Sequence, residues 1–127
     1  MSTKSVAVRA GFLFLLSFFF PVFAWGQKKD LEIHFINIGH GDSFLIKTPE
    51  GKNIMIDAGL FFMSYKLKGY LKAQGVKTID LLVITHPDPD HYGGAKSVIK
   101  NFKVKEFADP GIPTSSAWYR SLLRLVK

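Results

Sequence analysis

The run ITHPDPDHYGG at residues 84–94 restricts this chain more than any other feature. Pro87 and Pro89 each fix their own φ near −65° and lack a backbone donor. Each also pushes the residue before it, His86 and Asp88, out of the helical region. The segment is therefore expected to be extended. In an extended chain, residues two apart lie on one side, about 6.6 Å from each other. His86, Asp88 and Asp90 are then expected to converge on one region. His91 would point elsewhere unless the chain turns, and Gly93 and Gly94 are where it can turn. Acid and imidazole groups at this density are costly to place unless something cationic binds them. Mixed imidazole and carboxylate donors suit Zn²⁺, Mn²⁺ or Fe. HPD or DPD alone would be turn chemistry. Four ligand-type residues within a few positions are harder to explain that way.

The flanks place this run in a fold. TIDLLVITH contains the continuous apolar stretch Leu81 to Ile84, expected for a strand covered on both faces. GGAKSVIKNF reads as a short helix. A position just past a buried strand and at the entry to a helix is where open α/β sheets place ligands. Upstream, LEIHFINIG, FLIKT and IMIDAG read as three strands, joined by the HGDS turn and by PEGKN. FFMSYKLKGYLKAQG puts Met63, Leu67, Tyr70 and Leu71 on one helical stripe, with Gly75 as its stop. Downstream, VKEFADPG is a weak strand and turn, and TSSAWYRSLLRLVK starts with Thr/Ser cap candidates before helical spacing. The expectation is an α/β fold: an antiparallel meander leading into a mixed sheet, with helices packed outside.

The first 26 residues are expected to lie outside that domain. Lys4 and Arg9 precede GFLFLLSFFFPVFA, an apolar run of signal-peptide length, and Ala24 and Gly26 suit cleavage before Gln27. The run is short for a membrane span, which needs about 20 apolar residues. Export through a signal peptide at 1–26 is therefore expected, with no stable span after cleavage. An uncleaved anchor is the alternative. Removing Lys4 and Arg9 from the 17 basic residues leaves 15 against 10 acidic ones, a net of +5. Such a balance suits an anionic small-molecule or nucleic-acid substrate, and equally a plain lysine surface. The chain has no cysteine, which excludes thiolate catalysis, disulfides and Cys-type zinc sites.

THPDPDHYGG resembles the H-x-H-x-D-H signature of the metallo-β-lactamase superfamily. It is most similar to the branch found in the soluble domain of ComEC-type competence proteins, where the second His is often Asp, as Asp88 is here. INIGHGDSFLI resembles that branch's V-G-Q-G-D-S turn, with His40 in the Gln position. IMIDAG resembles its strand ending in D-x-G. All three stand in order within residues 31–95. The resemblance implies a hydrolase using two divalent metal ions, Zn or Mn, to activate water. His86 and Asp88 would ligate the first ion, and Asp90 and His91 the second. Asp90 would also act catalytically by orienting the water. Asp57 would support the site from the strand end. Asp42 would lie near it, or serve as an Asx-turn residue. Gly93 and Gly94 would support the loop. His40 reads as a solvent-facing turn residue, and His34 as a surface or sheet-face residue without a role. Trp118 and Tyr119 are expected to pack the last helix.

The superfamily fold is an αββα sandwich of two similar halves. The family's later ligands, a further His, a bridging Asp and a last His, come from its second half. No His follows His91, and Asp109 is the only Asp downstream. The expectation is that residues 27–127 form the N-terminal half of such a domain, with the C-terminal half as its missing partner. Such a half would leave one sheet face exposed. Alone it is expected to hydrolyse nothing and to bind metal weakly. The alternative is a non-catalytic, secreted interaction module that carries the motif as a remnant.

Overall fold

Residues 29–126 are described in the computed structural model, so the expected export segment at 1–26 lies outside the described residues. The strands are β1 (Glu32–Phe35), β2 (Phe44–Lys47), β3 (Asn53–Ile56), β4 (Thr78–Val83) and β5 (Lys103–Ala108). The helices are α1 (Ser64–Ala73), α2 (Pro89–Tyr92), α3 (Ala95–Asn101) and α4 (Ala117–Leu123), with a 3₁₀ turn at Phe61–Met63 leading into α1. One sheet holds all five strands in the order β1-β2-β3-β4-β5. The β1–β2 and β2–β3 pairs are antiparallel, and β3–β4 and β4–β5 are parallel. Short loops make the first two pairs. The parallel pairs need crossovers, which α1 and then α2–α3 supply. The weak strand expected around VKEFADPG is β5, paired with β4 along its length. The cap expected in the TSS run is Ser116, whose Oγ accepts from Tyr119 N at 3.2 Å.

Register assigns the two faces. His34, Leu45, Met55, Leu82 and Phe107 are successive cross-strand partners, so they share one side. Leu45, Met55 and Leu82 are fully buried there in one cluster with Leu67 and Leu71 of α1. Each such burial contributes about 1.5–3 kcal/mol. His34 is part of this side, not a surface residue: its Nδ1 meets Tyr70 Oη of α1 at 2.7 Å and its Nε2 meets Glu32 at 3.1 Å. The Tyr70 hydroxyl gives a mid-strand imidazole a half-buried partner, which the strand's own alternation could not reveal.

The opposite side carries two apolar rows. One is Ile33–Ile46–Ile54–Leu81 and the other Phe35–Phe44–Ile56–Val83. None of these eight residues reaches the buried core, and Ile33 and Phe35 are 53% and 78% exposed. The expectation that Leu81 to Ile84 is covered on both faces is therefore corrected. Leu82 and Ile84 are buried, whereas Leu81 and Val83 are half-buried on the second side. Among the described residues, no helix is long and apolar enough to cross a membrane.

Candidate metal centre

Three loops at one end of the sheet are stitched together by backbone hydrogen bonds. They follow β1 (residues 36–43), β3 (57–60) and β4 (84–94, including the single turn α2). Asp42 N donates to Asp90 O at 3.3 Å, and Gly59 N to Asp42 O at 3.0 Å. Ala58 N donates to His91 O at 2.6 Å, and Gly94 N to Gly59 O at 2.9 Å. Backbone must come this close for the bonds to form, which decides two residue types. A Cβ on Gly41, at φ +93°, would run into the Asp90 carbonyl, and one on Gly94 into the Ala58 carbonyl.

The HPDPDH run departs from the extended course expected of it. Asp88 is extended at φ −97° and ψ 141°, but Pro89 opens the single turn α2 and Asp90 and His91 are helical. Proline is well suited to the first helical position, where its missing N–H costs nothing. That preference overrides the extended bias after Asp88. The chain therefore turns at Pro89, ahead of Gly93 and Gly94. Both glycines are right-handed helical, with φ of −54° and −81°. They serve close backbone approach and not a change of direction. The early turn brings His91 back onto His86, with ring centroids 3.8 Å apart.

Asp57 contacts His91 directly and is linked to His86 through Thr85. Its side chain is 2% exposed, and its backbone is left-handed at φ +57°, a conformation Asp tolerates better than most residues. Three donors converge on the carboxylate. Thr85 N donates to Oδ1 at 2.9 Å. The Thr85 hydroxyl donates to Oδ2 at 2.6 Å, and His91 Nδ1 donates to the same oxygen at 2.9 Å. Charge-assisted bonds of this kind contribute about 1.5–3 kcal/mol each. Through these bonds Asp57 ties the end of β3 to Thr85 and His91.

His91, held through Nδ1, turns Nε2 towards Asp90 Oδ2, 3.9 Å away. His86 Nε2 lies 3.4 Å from Asp88 Oδ2. Two donors on one tetrahedral ion are separated by roughly 3.4 Å at ordinary zinc bond lengths. These are imidazole–carboxylate pairs in which an unprotonated Nε2 would face an acceptor oxygen. Each pair brings together an imidazole nitrogen and a carboxylate oxygen, donor types that divalent metals accept. The donors stand as pairs: among the described residues, no three His, Asp or Glu side chains are grouped to hold an ion. His40 is exposed as expected, and its Nε2 reaches within 3.5 Å of Asp90 Oδ2. Asp42 contributes backbone bonds to the braid, while the Asx-type bond in this loop belongs to Asn37, which accepts from Gly39 N at 3.1 Å.

The back of α2 is anchored by aromatics. Tyr92 Oη lies 2.9 Å from Ser116 Oγ, and its ring meets Tyr119 edge-on at 4.8 Å. Tyr119 is fully buried and donates to Asp109 Oδ2 at 3.0 Å. Burial pushes its phenol well above the ordinary value, and the Asp109 bond adds in the same direction. Trp118 does not pack inside its helix. It stands 44% exposed against Phe61, at the rim of an open hollow of about 350 Å³ that Pro89, Tyr92 and Gly93 also line. The residue that sequence reasoning missed is Thr85. Its only signal was its place directly before His86.

The family model for the metallo-beta-lactamase superfamily matches residues 36–120. The chain belongs to this superfamily. Its mixed sheet with flanking helices fits a metallo-beta-lactamase-type α/β fold, and members of the superfamily generally bind divalent metals such as zinc. Two curated relatives agree with the ComEC-type resemblance. ComE operon protein 3 of Bacillus subtilis is 33% identical over 96 residues, covering 62% of this chain and 12% of that protein. Recombination protein 2 of Haemophilus influenzae is 26% identical over 114 residues, covering 86% of this chain and 14% of that protein. The chain thus spans about an eighth of the length of the relatives it matches. No solved structure matches it significantly.

Proposed function

We propose that residues 27–127 are the N-terminal part of an exported, metal-dependent hydrolase domain acting on phosphodiester or nucleic-acid substrates. The observation that carries this reading is the pairing around Asp57: two imidazoles linked to one buried carboxylate, each with Nε2 beside a further carboxylate. In this reading His86 and Asp88 hold one divalent ion, and Asp90 and His91 the other. The bound ions would polarise the scissile phosphoryl group and bring the pKa of water towards neutrality. Asp90 orients the attacking water. Asp57 keeps the rings aligned, the usual role of a carboxylate behind a metal-binding histidine. Asp88 in place of an imidazole adds charge and an oxygen donor, which favours Mn²⁺ relative to Zn²⁺. The basic surplus suits an anionic substrate.

The remaining ligands come, in this proposal, from the second half of the sandwich. The two uncovered apolar rows support that partner, because a sheet with an apolar face is stable when a second layer packs on it. Calorimetric titration with Mn²⁺ and Zn²⁺, with bis(p-nitrophenyl) phosphate turnover alongside, tests the reading. The 127-residue chain alone should bind metal weakly and turn over nothing. A chimera extended with the downstream residues of the Bacillus subtilis relative should do both. A tight, stoichiometric two-metal site on the short chain would refute the half-domain reading. Failure of the chimera to bind metal would refute the hydrolase and leave the non-catalytic interaction module. N-terminal sequencing of the secreted protein tests export, with Gln27 expected first.

A further inference from the structure

We infer that Thr85 is a positioning residue that fixes the tautomer of His86, so that one oxygen of Asp57 sets both imidazoles. The inference rests on hydrogen-bond accounting. A hydroxyl has one proton to donate. Thr85 Oγ1 lies 2.6 Å from Asp57 Oδ2 and 2.9 Å from His86 Nδ1. A carboxylate oxygen only accepts, so the hydroxyl proton goes to Asp57. The remaining contact then requires His86 Nδ1 to be the donor and Thr85 Oγ1 the acceptor. His86 is thereby the Nδ1–H form, and its Nε2 lone pair faces Asp88. His91 reaches the same state without a relay, because its Nδ1 donates directly to the same Oδ2. Each histidine offers Nε2, one through a hydroxyl and one directly. The Thr85 amide bond to Oδ1 clamps the carboxylate so that it cannot rotate away.

The relay adds a residue to the proposed metal reading, but its own content is a protonation pattern that exists without metal. The test begins on the metal-free, ¹⁵N-labelled 127-residue chain at about pH 9, where free imidazole is neutral. Long-range ¹H–¹⁵N spectra distinguish Nδ1–H from Nε2–H rings, and the chain has only four histidines to assign. His86 and His91 should both be Nδ1–H in the wild type. In Thr85→Val, His86 should shift towards the Nε2–H form that free histidine prefers, while His91 stays unchanged. Thr85→Ser should restore His86. An Nε2–H signal for His86 in the wild type overturns the inference, as does an unchanged His86 in Thr85→Val. The wild-type spectrum decides the matter even if the valine variant fails to fold. Mn²⁺ titration of the extended chimera should then show about 10–100-fold weaker binding with Thr85→Val, recovered with Thr85→Ser. If the tautomers are as expected and the extended chimera binds no metal, the hydrolase reading fails and the relay stands.

Discussion

Replacing Asp57 by Asn and by Ala should reverse the order of two measured properties. In Asp57→Asn the left-handed backbone at φ +57° is retained, because Asn tolerates it as Asp does. The amide oxygen still accepts from Thr85 N. The amide nitrogen replaces Oδ2, where Thr85 Oγ1 at 2.6 Å and His91 Nδ1 at 2.9 Å both donate to a carboxylate. An NH₂ group there donates instead. The Thr85 hydroxyl must then donate to His86 Nδ1, and His91 Nδ1 must accept. Both rings become Nε2–H and present a proton where a metal would need a lone pair. All three charge-assisted bonds become neutral ones, a loss of about 0.5–1 kcal/mol each. The variant should therefore fold with roughly 2 kcal/mol less stability. In Asp57→Ala the shielded His91 Nδ1 loses its partner, at about 1–3 kcal/mol. A left-handed Ala adds about 1–2 kcal/mol. The total, roughly 3–4 kcal/mol, is a large share of the 5–15 kcal/mol typical of a domain.

Stability should thus fall from wild type to Asn to Ala. Metal affinity should fall from wild type to Ala to Asn, because the rings of the alanine variant remain free to choose the productive tautomer. Urea unfolding followed by far-UV circular dichroism gives the first order. Mn²⁺ calorimetry gives the second. A purely structural Asp57 would produce the same order in both. Wild-type affinity in Asp57→Asn would refute the tautomer reasoning outright.

Other consequences follow from particular contacts. Gly94→Ala drives a Cβ into the Ala58 carbonyl and should cost more than about 2 kcal/mol, whereas Gly51→Ala, at φ +80° but in open space, should cost only the left-handed penalty of about 1–2 kcal/mol; urea midpoints compare them. Burial raises the Tyr119 phenol in the folded state, so its contribution is fully present below about pH 10, the value of an exposed phenol, and is lost as pH rises beyond it. Tyr119→Phe should flatten the alkaline limb of a stability–pH curve while lowering its plateau. The Lys105 ammonium, then the Asn53 amide, hold the Asp80 carboxyl below its ordinary range. Its contribution is therefore present above that range and lost as pH falls through the depressed folded value. Asp80→Asn should cost about 0.5 kcal/mol at neutral pH and nothing in strong acid, since Lys105 is half exposed. Phe35→Ser on the open face should reduce self-association in sedimentation velocity with little change in the urea midpoint, because Phe35 is 78% exposed.

Much of the fold was legible because local patterns and tertiary outcome agree. The β-rich runs, the Met63–Leu71 stripe and the Ser116 cap each follow from chemistry within a few residues. The donor types in HPDPDH were legible for the same reason. Their arrangement was not. Two rules compete at Pro89: it biases Asp88 to be extended, and it favours the first turn of a helix for itself. Both hold, one on each side of the proline, and the turn that results moves His91 from an outlying position to the ring beside His86. The role of Thr85 could not be read at all. It is set by a carboxylate 28 residues away, and nothing local to Thr85 announces that partner.

The same distinction governs how the two unusual parts of this molecule should respond to change. The donor cluster is held by backbone bonds among three loops and by one buried carboxylate, all from described residues. None of those contacts uses the apolar rows on the open side of the sheet. Covering the rows would therefore alter stability and self-association, while altering Asp57 or Thr85 would alter which nitrogen each histidine presents. In the proposed reading, a partner that packs on the open face completes the ligand set only by bringing its own donors, because the Asp57 and Thr85 contacts already orient His86 and His91. Binding of such a partner should leave both tautomers unchanged in the imidazole spectrum. A partner-induced change of tautomer would show that the site is assembled on docking, contrary to the geometry of the Asp57–Thr85 clamp.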